Sequence, residues 1–206
     1  MKTINLNSVL PQVFAQRSDL NSEIWKQEVT FEKGHLYLIE ADSGMGKSTF
    51  CSYIIGYRHD YSGNVTFDTQ VTADFKVRDW VEVRKSHISH LFQELRLFPE
   101  LSAFENVEIK NKITGFKSRE QIVEWFDMLG IGDKLDAKIG RMSFGQQQRV
   151  AMIRALVQPI DFILADEPIS HLDDTNSQIM GEIMMTEAQR QGAGVIVTSI
   201  GKHMDL

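Results

Sequence analysis

One short loop constrains this chain more than any other feature of its sequence. Residues 41–48 read Ala-Asp-Ser-Gly-Met-Gly-Lys-Ser, between a strand-like apolar stretch and a helix-forming stretch. Gly46, Lys47 and Ser48 match the end of the pattern G-x-x-x-x-G-K-[ST], whereas Ala41 stands in place of its first glycine. A strand, a glycine-containing loop and a helix in this order predict a nest of backbone N–H groups that faces an anion.

The loop predicts a nucleoside triphosphate site, with ATP as the ligand. Its N–H groups must converge on phosphate oxygens, which requires small residues in unusual dihedrals. Lys47 would reach the β- and γ-phosphates, and the hydroxyl of Ser48 would ligate Mg²⁺. The alternative is a glycine turn with an exposed lysine. The predicted nucleotide-binding residues of the loop are Ala41, Asp42, Ser43, Gly44, Met45, Gly46, Lys47, Ser48 and Thr49.

Two acidic residues, Asp166 and Glu167, follow the apolar residues 162–165. This run predicts a buried strand that ends in acids. Beside a phosphate loop, Asp166 would hold Mg²⁺ through water, and Glu167 would polarise an attacking water. The alternative is a solvated acidic turn, which the pairing with the phosphate loop disfavours.

The pattern of apolar residues predicts an α/β fold. Strands alternate with helices, which favours a parallel sheet. Residues 24–40 read as strand, turn and strand, and residues 63–92 read as strand-rich. Capping-box patterns begin at Ser102 and Ser118, within a stretch that reads as a small helical subdomain. We predict one domain over 1–206, made of an α/β core at 1–92 and 148–206 and an inserted helical subdomain at 93–147.

Composition excludes several classes of protein. The formal net charge of -6 leaves no electrostatic footprint for nucleic acid, so no nucleic-acid partner is expected. Cys51 is the only cysteine, so no intrachain disulfide forms and a reducing compartment fits. The sequence has no signal-peptide pattern and no apolar run near the ~20 residues that span a bilayer. A soluble chain is expected, with membrane association only through a partner.

Several further motifs resemble those of the ATP-binding cassette (ABC) ATPases. Residues 142–150, Met-Ser-Phe-Gly-Gln-Gln-Gln-Arg-Val, resemble the signature motif, and residues 91–94, Leu-Phe-Gln-Glu, resemble the Q-loop. Residues 164–168 and 170–173 resemble the strand-end acids and the D-loop of the family. The motifs follow the order and spacing of the family, and the resemblance covers about the whole chain.

The resemblance implies a P-loop NTPase fold: a RecA-like parallel sheet core, an N-terminal antiparallel β region and an inserted helical subdomain. It implies that two subunits face head to tail and sandwich two ATP molecules with Mg²⁺. The implied catalytic residues are Glu167, Gln93 and Ser199, and the implied metal residues are Ser48, Gln93 and Asp166. The implied signature residues, which act on the opposite subunit, are Ser143, Phe144, Gly145 and Gln146, and those of the D-loop are Ser170 and Asp173.

Three residues depart from the family pattern: Ala41, Phe144 and Ser199. Ser199 stands where the family usually has a histidine that contacts the γ-phosphate. Losing one such contact typically costs about 10²–10³ in rate, so slow hydrolysis is one expectation. His203 would replace the contact only after a local slip, and a solvated terminal histidine is the alternative. Phe14 is the candidate for stacking on adenine, with a core phenylalanine as the alternative.

The resemblance implies an ATP-binding and ATP-hydrolysing subunit that drives separate transmembrane permease subunits. Its expected partner is a second ABC ATPase subunit, as a homodimer, and its expected place is the cytoplasmic face of the membrane, held there by the permease. The motif wording looks like that of small exporters of lipids, lipoproteins or drugs. The alternatives are a degenerate ATP clamp with slow hydrolysis and a non-transport ABC ATPase. Chromosome-maintenance members need long coiled coils between Gln93 and Ser143, and this sequence has none.

Overall fold

The computed structural model describes residues 1–169 and 172–199. Eight strands and six helices form its framework. The strands are β1 (Thr3–Pro11), β2 (Glu28–Glu32), β3 (Leu36–Glu40), β4 (Tyr61–Phe67), β5 (Gln70–Val71), β6 (Ile88–Leu91), β7 (Phe162–Asp166) and β8 (Gly194–Ser199). The helices are α1 (Lys47–Ile54), α2 (Val77–Glu82), α3 (Ala103–Asn111), α4 (Arg119–Met128), α5 (Phe144–Leu156) and α6 (Asp174–Gln191).

A parallel sheet carries the predicted site. Its strand order is β3-β8-β7-β6, and each neighbouring pair is parallel. All five residues of β7 and all six of β8 are buried, as expected for strands covered on both faces. Because the strands are parallel, their carboxyl ends meet at one edge, where ligands bind in open α/β sheets. The α/β prediction is confirmed.

A second sheet is antiparallel and contains the N-terminal strands. Its order is β2-β1-β4-β5, and β1 pairs with both β2 and β4. Strands β2 and β3 follow each other across the turn at 33–35 but belong to different sheets. The chain therefore passes from the antiparallel sheet directly into the strand that precedes the phosphate loop.

Alternation along the central strands divides the apolar side chains between two cores. Phe162, Leu164 and Ile196 pack with α1 and the antiparallel sheet. Ile163 and Val195, on the opposite face, pack with residues of α3, α4, α5 and α6 in one continuous cluster. The helical region at 93–147 thus shares its hydrophobic core with the parallel sheet. The domain boundaries given above stay a prediction.

The helix starts follow the capping patterns of the sequence. Ser102 precedes α3 and Ser118 precedes α4, and each side chain accepts a hydrogen bond from the third helical residue. The returning side chains, Glu105 and Gln121, accept from the cap N–H groups and complete both capping boxes. Within the described residues, no helix has both the length and the apolar character that crossing a bilayer requires.

The strand-rich interpretation of residues 63–92 is wrong in its second half. There α2 runs into a π-helical turn at Val83–His87, before β6 begins. Trp80 and Val83 lie three residues apart and are both buried against the aromatic residues of β4 and its neighbours. Asp79 accepts a hydrogen bond from the backbone of Lys76 at the helix start. Burial at helical spacing therefore outweighs the β-propensity of the valines in this stretch.

A buried ion pair ties the helical region to α6. Lys117 Nζ lies 2.8 Å from Glu187 Oε2, and both side chains are about 95% buried. Glu187 also accepts hydrogen bonds from Arg190 and Gln191 of its own helix. Burial alone would raise the pKa of Glu187, but these hydrogen bonds outweigh it and hold the pKa below its usual range. The carboxylate thus has several partners, whereas the described contacts of the ammonium are one carboxylate and two aromatic rings.

We predict that Glu187→Gln destabilises the protein by about 3–5 kcal/mol, because it leaves the charge of Lys117 buried without a counter-ion. Lys117→Met should cost less, since Glu187 keeps Arg190 and Gln191. Urea unfolding at neutral pH measures both differences. Because the pKa of Glu187 is lowered by folding, its contribution is present at neutral pH and disappears as the pH falls through the folded-state pKa. Equal losses in both variants would contradict this asymmetry.

Candidate functional site

The loop between β3 and α1 has the backbone shape that phosphate binding requires. Gly44 and Gly46 have φ angles of +79° and +96°, and Gly46 caps α1 in the left-handed region. A Cβ atom on Gly46 would lie 3.0 Å from Phe14 and 3.1 Å from Trp25. The indole N–H of Trp25 donates to the carbonyl of Met45 at 3.2 Å. Two aromatic side chains from the N-terminal region therefore pack against the loop at Met45 and Gly46.

Lys47 is the first residue of α1 and is buried, with its ammonium inside the curve of the loop. Its Nζ donates to the carbonyls of Ala41 at 2.6 Å and Asp42 at 3.1 Å. It also lies 3.7 Å from Glu167 Oε1. The loop carbonyls thus hold the ammonium inside the loop, where an anionic ligand would accept further charge-assisted hydrogen bonds from it.

Gln93 joins the two halves of the predicted site. Ser48 Oγ donates to Gln93 Oε1 at 3.4 Å, and Gln93 Nε2 donates to Glu167 Oε2 at 3.0 Å. Ser48 lies on α1, Gln93 follows β6, and Glu167 follows β7. The folded chain therefore brings together three residues that are far apart in sequence, as the motif order predicts.

The acids at the end of β7 are held by β8. Thr198 Oγ1 donates to Asp166 Oδ1 at 2.5 Å. The backbone N–H of Glu167 donates to the carbonyl of Thr198 at 3.1 Å, with Glu167 in the left-handed region at φ +48°. A non-glycine residue in this conformation at a strand end is typical of a functional site. Thr198 is a positioning residue that the sequence motifs did not identify.

A cavity of about 420 Å³ opens over the loop and extends to Gln93 and Glu167. Arg17 and Arg58 also line it, and no sequence motif had marked either residue. Both cations raise the positive potential around the loop, which favours a polyanionic ligand. The hydroxyl of Ser48 and the amide oxygen of Gln93 are oxygen donors that Mg²⁺ prefers, and Asp166 adds a carboxylate nearby. The donor set fits Mg²⁺.

Phe14 lies at the edge of this cavity, but its ring is only 3% exposed. The Arg17 guanidinium lies over the ring, 5.1 Å from its centroid, and Trp25 packs 6.5 Å away. Phe14 belongs to the hydrophobic core and supports Gly46. Stacking of adenine on this ring would require Arg17 to move, so the stacking role stays a prediction.

The signature residues begin α5. Ser143 is the N-cap: its Oγ accepts from the Gln146 N–H at 3.3 Å, and Gln146 Oε1 accepts from the Ser143 N–H at 3.0 Å. Phe144 is 42% exposed. None of these residues lines the cavity over the phosphate loop. Within one chain the structure therefore leaves the predicted signature separate from the nucleotide loop, as an arrangement in trans requires.

Hydrogen bonds connect α5 to the acidic strand end and to α6. Gln148, which is buried, donates to the carbonyl of Pro168 at 2.6 Å. Arg149 donates to Asn176 Oδ1 at 3.0 Å, and Asn176 donates to Asp173, the N-cap of α6. The hydrogen bond from the Asn176 backbone N–H holds the pKa of Asp173 below its usual range. These hydrogen bonds connect the start of α5 to the segment that follows β7 and to the first turn of α6.

Ser199 ends β8, beside the start of the phosphate loop. Its carbonyl accepts from the Ala41 N–H at 3.3 Å, and its side chain is buried. The assignment of Ser199 to the position of the family's histidine stays a prediction. Ser170, His171 and His203 lie outside the described residues.

Comparison with protein families identifies a match that includes the phosphate loop, Gln93 and the acids at the end of β7. The model of the family described as ABC transporter matches residues 26–170. The ABC transporter ATP-binding protein YtrE of Bacillus subtilis (strain 168) is 34% identical over 170 residues, covering 81% of this chain and 74% of that protein. The lipoprotein-releasing system ATP-binding protein LolD of Colwellia psychrerythraea is 33% identical over 175 residues, covering 83% of this chain and 68% of that protein.

A longer relative and a solved structure also match. The macrolide export ATP-binding/permease protein MacB of Shewanella sp. (strain ANA-3) is 32% identical over 179 residues, 85% of this chain, but the match spans only 27% of MacB. The dimeric structure of MJ0796, a bacterial ABC transporter cassette, has a TM-score of 0.80 and 28% identity over 95% of this chain and 87% of that chain. A post-hydrolysis dimer of MJ0796 bound to ADP and Pi has a TM-score of 0.79.

We predict that Lys47→Met weakens ATP binding by about 10- to 100-fold, since charge-assisted hydrogen bonds contribute about 1.5–3 kcal/mol. Titration with a fluorescent ATP analogue measures the affinity, and circular dichroism confirms that the variant is folded. Lys112→Met is the matched control, because the Lys112 side chain is 76% exposed and lies on another part of the surface. An unchanged affinity in Lys47→Met would show that the loop is not the triphosphate site.

Proposed function

We propose, from the premise that this chain belongs to the ABC transporter family of ATP-binding proteins, that it hydrolyses ATP in a dimer and thereby drives separate transmembrane subunits. Membership of the family makes the chain an ATPase. The observation that carries the rest is the hydrogen-bonded series Ser48–Gln93–Glu167, which joins the nucleotide loop to the catalytic strand at one cavity.

Binding of the triphosphate rests on the loop. The N–H groups from Gly44 to Ser48 and the positive end of α1 would face the β- and γ-phosphates. Lys47 would exchange its contacts with loop carbonyls for phosphate oxygens, which are stronger partners because they are charged. Bound Mg²⁺ would neutralise charge on the β- and γ-phosphates. Ser48 and Gln93 would hold it directly, and Asp166 through water.

Hydrolysis rests on Glu167 and Gln93. Glu167 would accept the proton of the attacking water, and Gln93, which donates to its carboxylate, would orient it. Thr198, which donates to Asp166 and accepts from the Glu167 N–H, would keep both acids in place during this step. No charged group from Ser199 supports the developing charge on the γ-phosphate, so we propose slower turnover than a histidine at this position would give.

Closure of the dimer would complete each site. Ser143, Gly145 and the N-terminus of α5 would meet the γ-phosphate held by the opposite subunit. Phe144 must then point away from the phosphate. The dimeric state of the similar cassette MJ0796 supports this arrangement. A second copy of this chain is the simplest partner.

The names of the relatives support a role in transport. LolD is named for a lipoprotein-releasing system, and MacB for macrolide export with a permease part of its own. We propose that this chain acts with permease subunits at the cytoplasmic face of a membrane. An ATP clamp with slow hydrolysis is the second candidate, and Ser199 is the observation that favours it.

We predict that Glu167→Gln lowers ATP hydrolysis by about 10²–10⁴-fold while ATP binding persists, because only the proton acceptor is lost. The variant should then accumulate as an ATP-bound dimer. Phosphate release measures the rate, and size-exclusion chromatography with ATP or ADP measures the dimer. Exposed Glu124→Gln on α4 is the control and should behave as the parent chain. Undiminished hydrolysis in Glu167→Gln would remove Glu167 from the mechanism.

We predict that Ser199→His raises single-turnover hydrolysis by about 10²-fold, because a cationic donor gains access to the γ-phosphate. Binding of ATP should change little. Ser199→Ala serves as the comparison, since it removes the hydroxyl without adding a donor. If the parent chain already hydrolyses ATP at a rate that Ser199→His does not raise, the slow-clamp alternative is wrong.

A further inference from the structure

Three side chains of metal-binding type meet in the interior behind the phosphate loop. Cys51 lies on α1, His90 on β6, and Asp166 at the end of β7. One ligand atom from each, the thiol sulfur, a ring nitrogen and a carboxylate oxygen, lies within 4.8 Å of the other two. Cys51 and Asp166 are buried. The three come from separate elements, so the fold and not local sequence brings them together.

Among the described residues, the ring nitrogens of His90 lack hydrogen-bond partners. Within the described part of the chain, neither of its ring nitrogens makes a hydrogen bond, although both are shielded from solvent. In a neutral imidazole one ring nitrogen carries the proton, and the other keeps a lone pair that can bind a metal ion. Buried polar atoms without partners are rare, and a bound ion is one of their explanations.

The donor set selects a particular class of cation. Thiolate, imidazole and carboxylate are the ligands of Zn²⁺, whereas Mg²⁺ and Ca²⁺ prefer oxygen atoms alone. Tetrahedral Zn²⁺ places its donor atoms about 3.5 Å apart. Since these three lie within 4.8 Å of one another, each pair needs to approach by at most about 1.3 Å. The two negative charges of Cys51 and Asp166 would balance the ion, which removes the cost of a net buried charge. The hydroxyl of Thr198 already donates a hydrogen bond to Asp166, and such hydrogen bonds typically orient the ligands of a metal ion.

We propose that Cys51, His90 and Asp166 form a Zn²⁺ site, with water as the fourth ligand, and that its occupation inhibits ATP hydrolysis. Binding releases the thiol proton of Cys51 to solvent. Inhibition follows because Asp166 is shared: a carboxylate that ligates Zn²⁺ on the inner side no longer holds the water that Mg²⁺ needs on the phosphate side. The metal site itself does not depend on the proposed transport function.

Co²⁺ titration of the chelator-treated chain tests the site directly, because Co²⁺ reports its ligands in the absorption spectrum. We expect one equivalent to bind with a sulfur-to-cobalt charge-transfer band, and Zn²⁺ to displace it. Cys51 is the only cysteine, so Cys51→Ser should abolish the band. His90→Gln should weaken binding by about tenfold or more, since even changes to outer partners cost that much. His35→Gln, whose parent side chain is 62% exposed, is the matched control.

Absence of the charge-transfer band in the parent chain would overturn the site, whatever the stability of the variants. Its persistence in Cys51→Ser would do the same. The inhibitory role has its own readout: in one buffer, Zn²⁺ should slow ATP hydrolysis by the parent chain more than by His90→Gln. An equal effect on both would overturn the inhibition and leave the metal site standing.

Discussion

Hydrogen bonds at the end of β8 hold the predicted phosphate loop and the predicted catalytic acids in one arrangement. The carbonyl of Ser199 accepts from the Ala41 N–H at the start of the loop. Thr198 receives the Glu167 N–H and donates to Asp166. These contacts cross two of the three strand pairs of the parallel sheet, β3–β8 and β7–β8. A site of this kind depends on strand order, because any other neighbour for β8 would separate the phosphate-binding and acidic groups.

The residues predicted to bind ATP and the residues predicted to form the signature lie on two separate surfaces of the described chain. The nucleotide loop and Glu167 face one cavity, and the capped start of α5 lies elsewhere. Gln148 and Arg149 connect α5 to the segments after Glu167 and to α6. In the proposed dimer, a subunit that receives ATP on one surface and offers α5 on another would link one nucleotide site to the next.

Local rules predicted much of this structure from sequence. The loop glycines and the capping boxes at Ser102 and Ser118 obey short-range rules of backbone geometry, so a single sequence reveals them. The segment at 77–87 was missed because its valines favour strands, while burial of Trp80 against distant aromatics decided for a helix. Trp25, Arg17 and Thr198 were missed because their roles arise from contacts across the fold, which no local spacing encodes.

The aromatic support beneath Gly46 has a thermodynamic consequence. Trp25 and Phe14 belong to the core of the antiparallel sheet, yet they contact the loop that receives the nucleotide. A ligand that binds only the folded loop adds its binding free energy to the stability of everything on which that loop rests. Docking of the N-terminal sheet and binding of ATP are therefore linked equilibria, so a change that loosens the sheet should also weaken ATP binding.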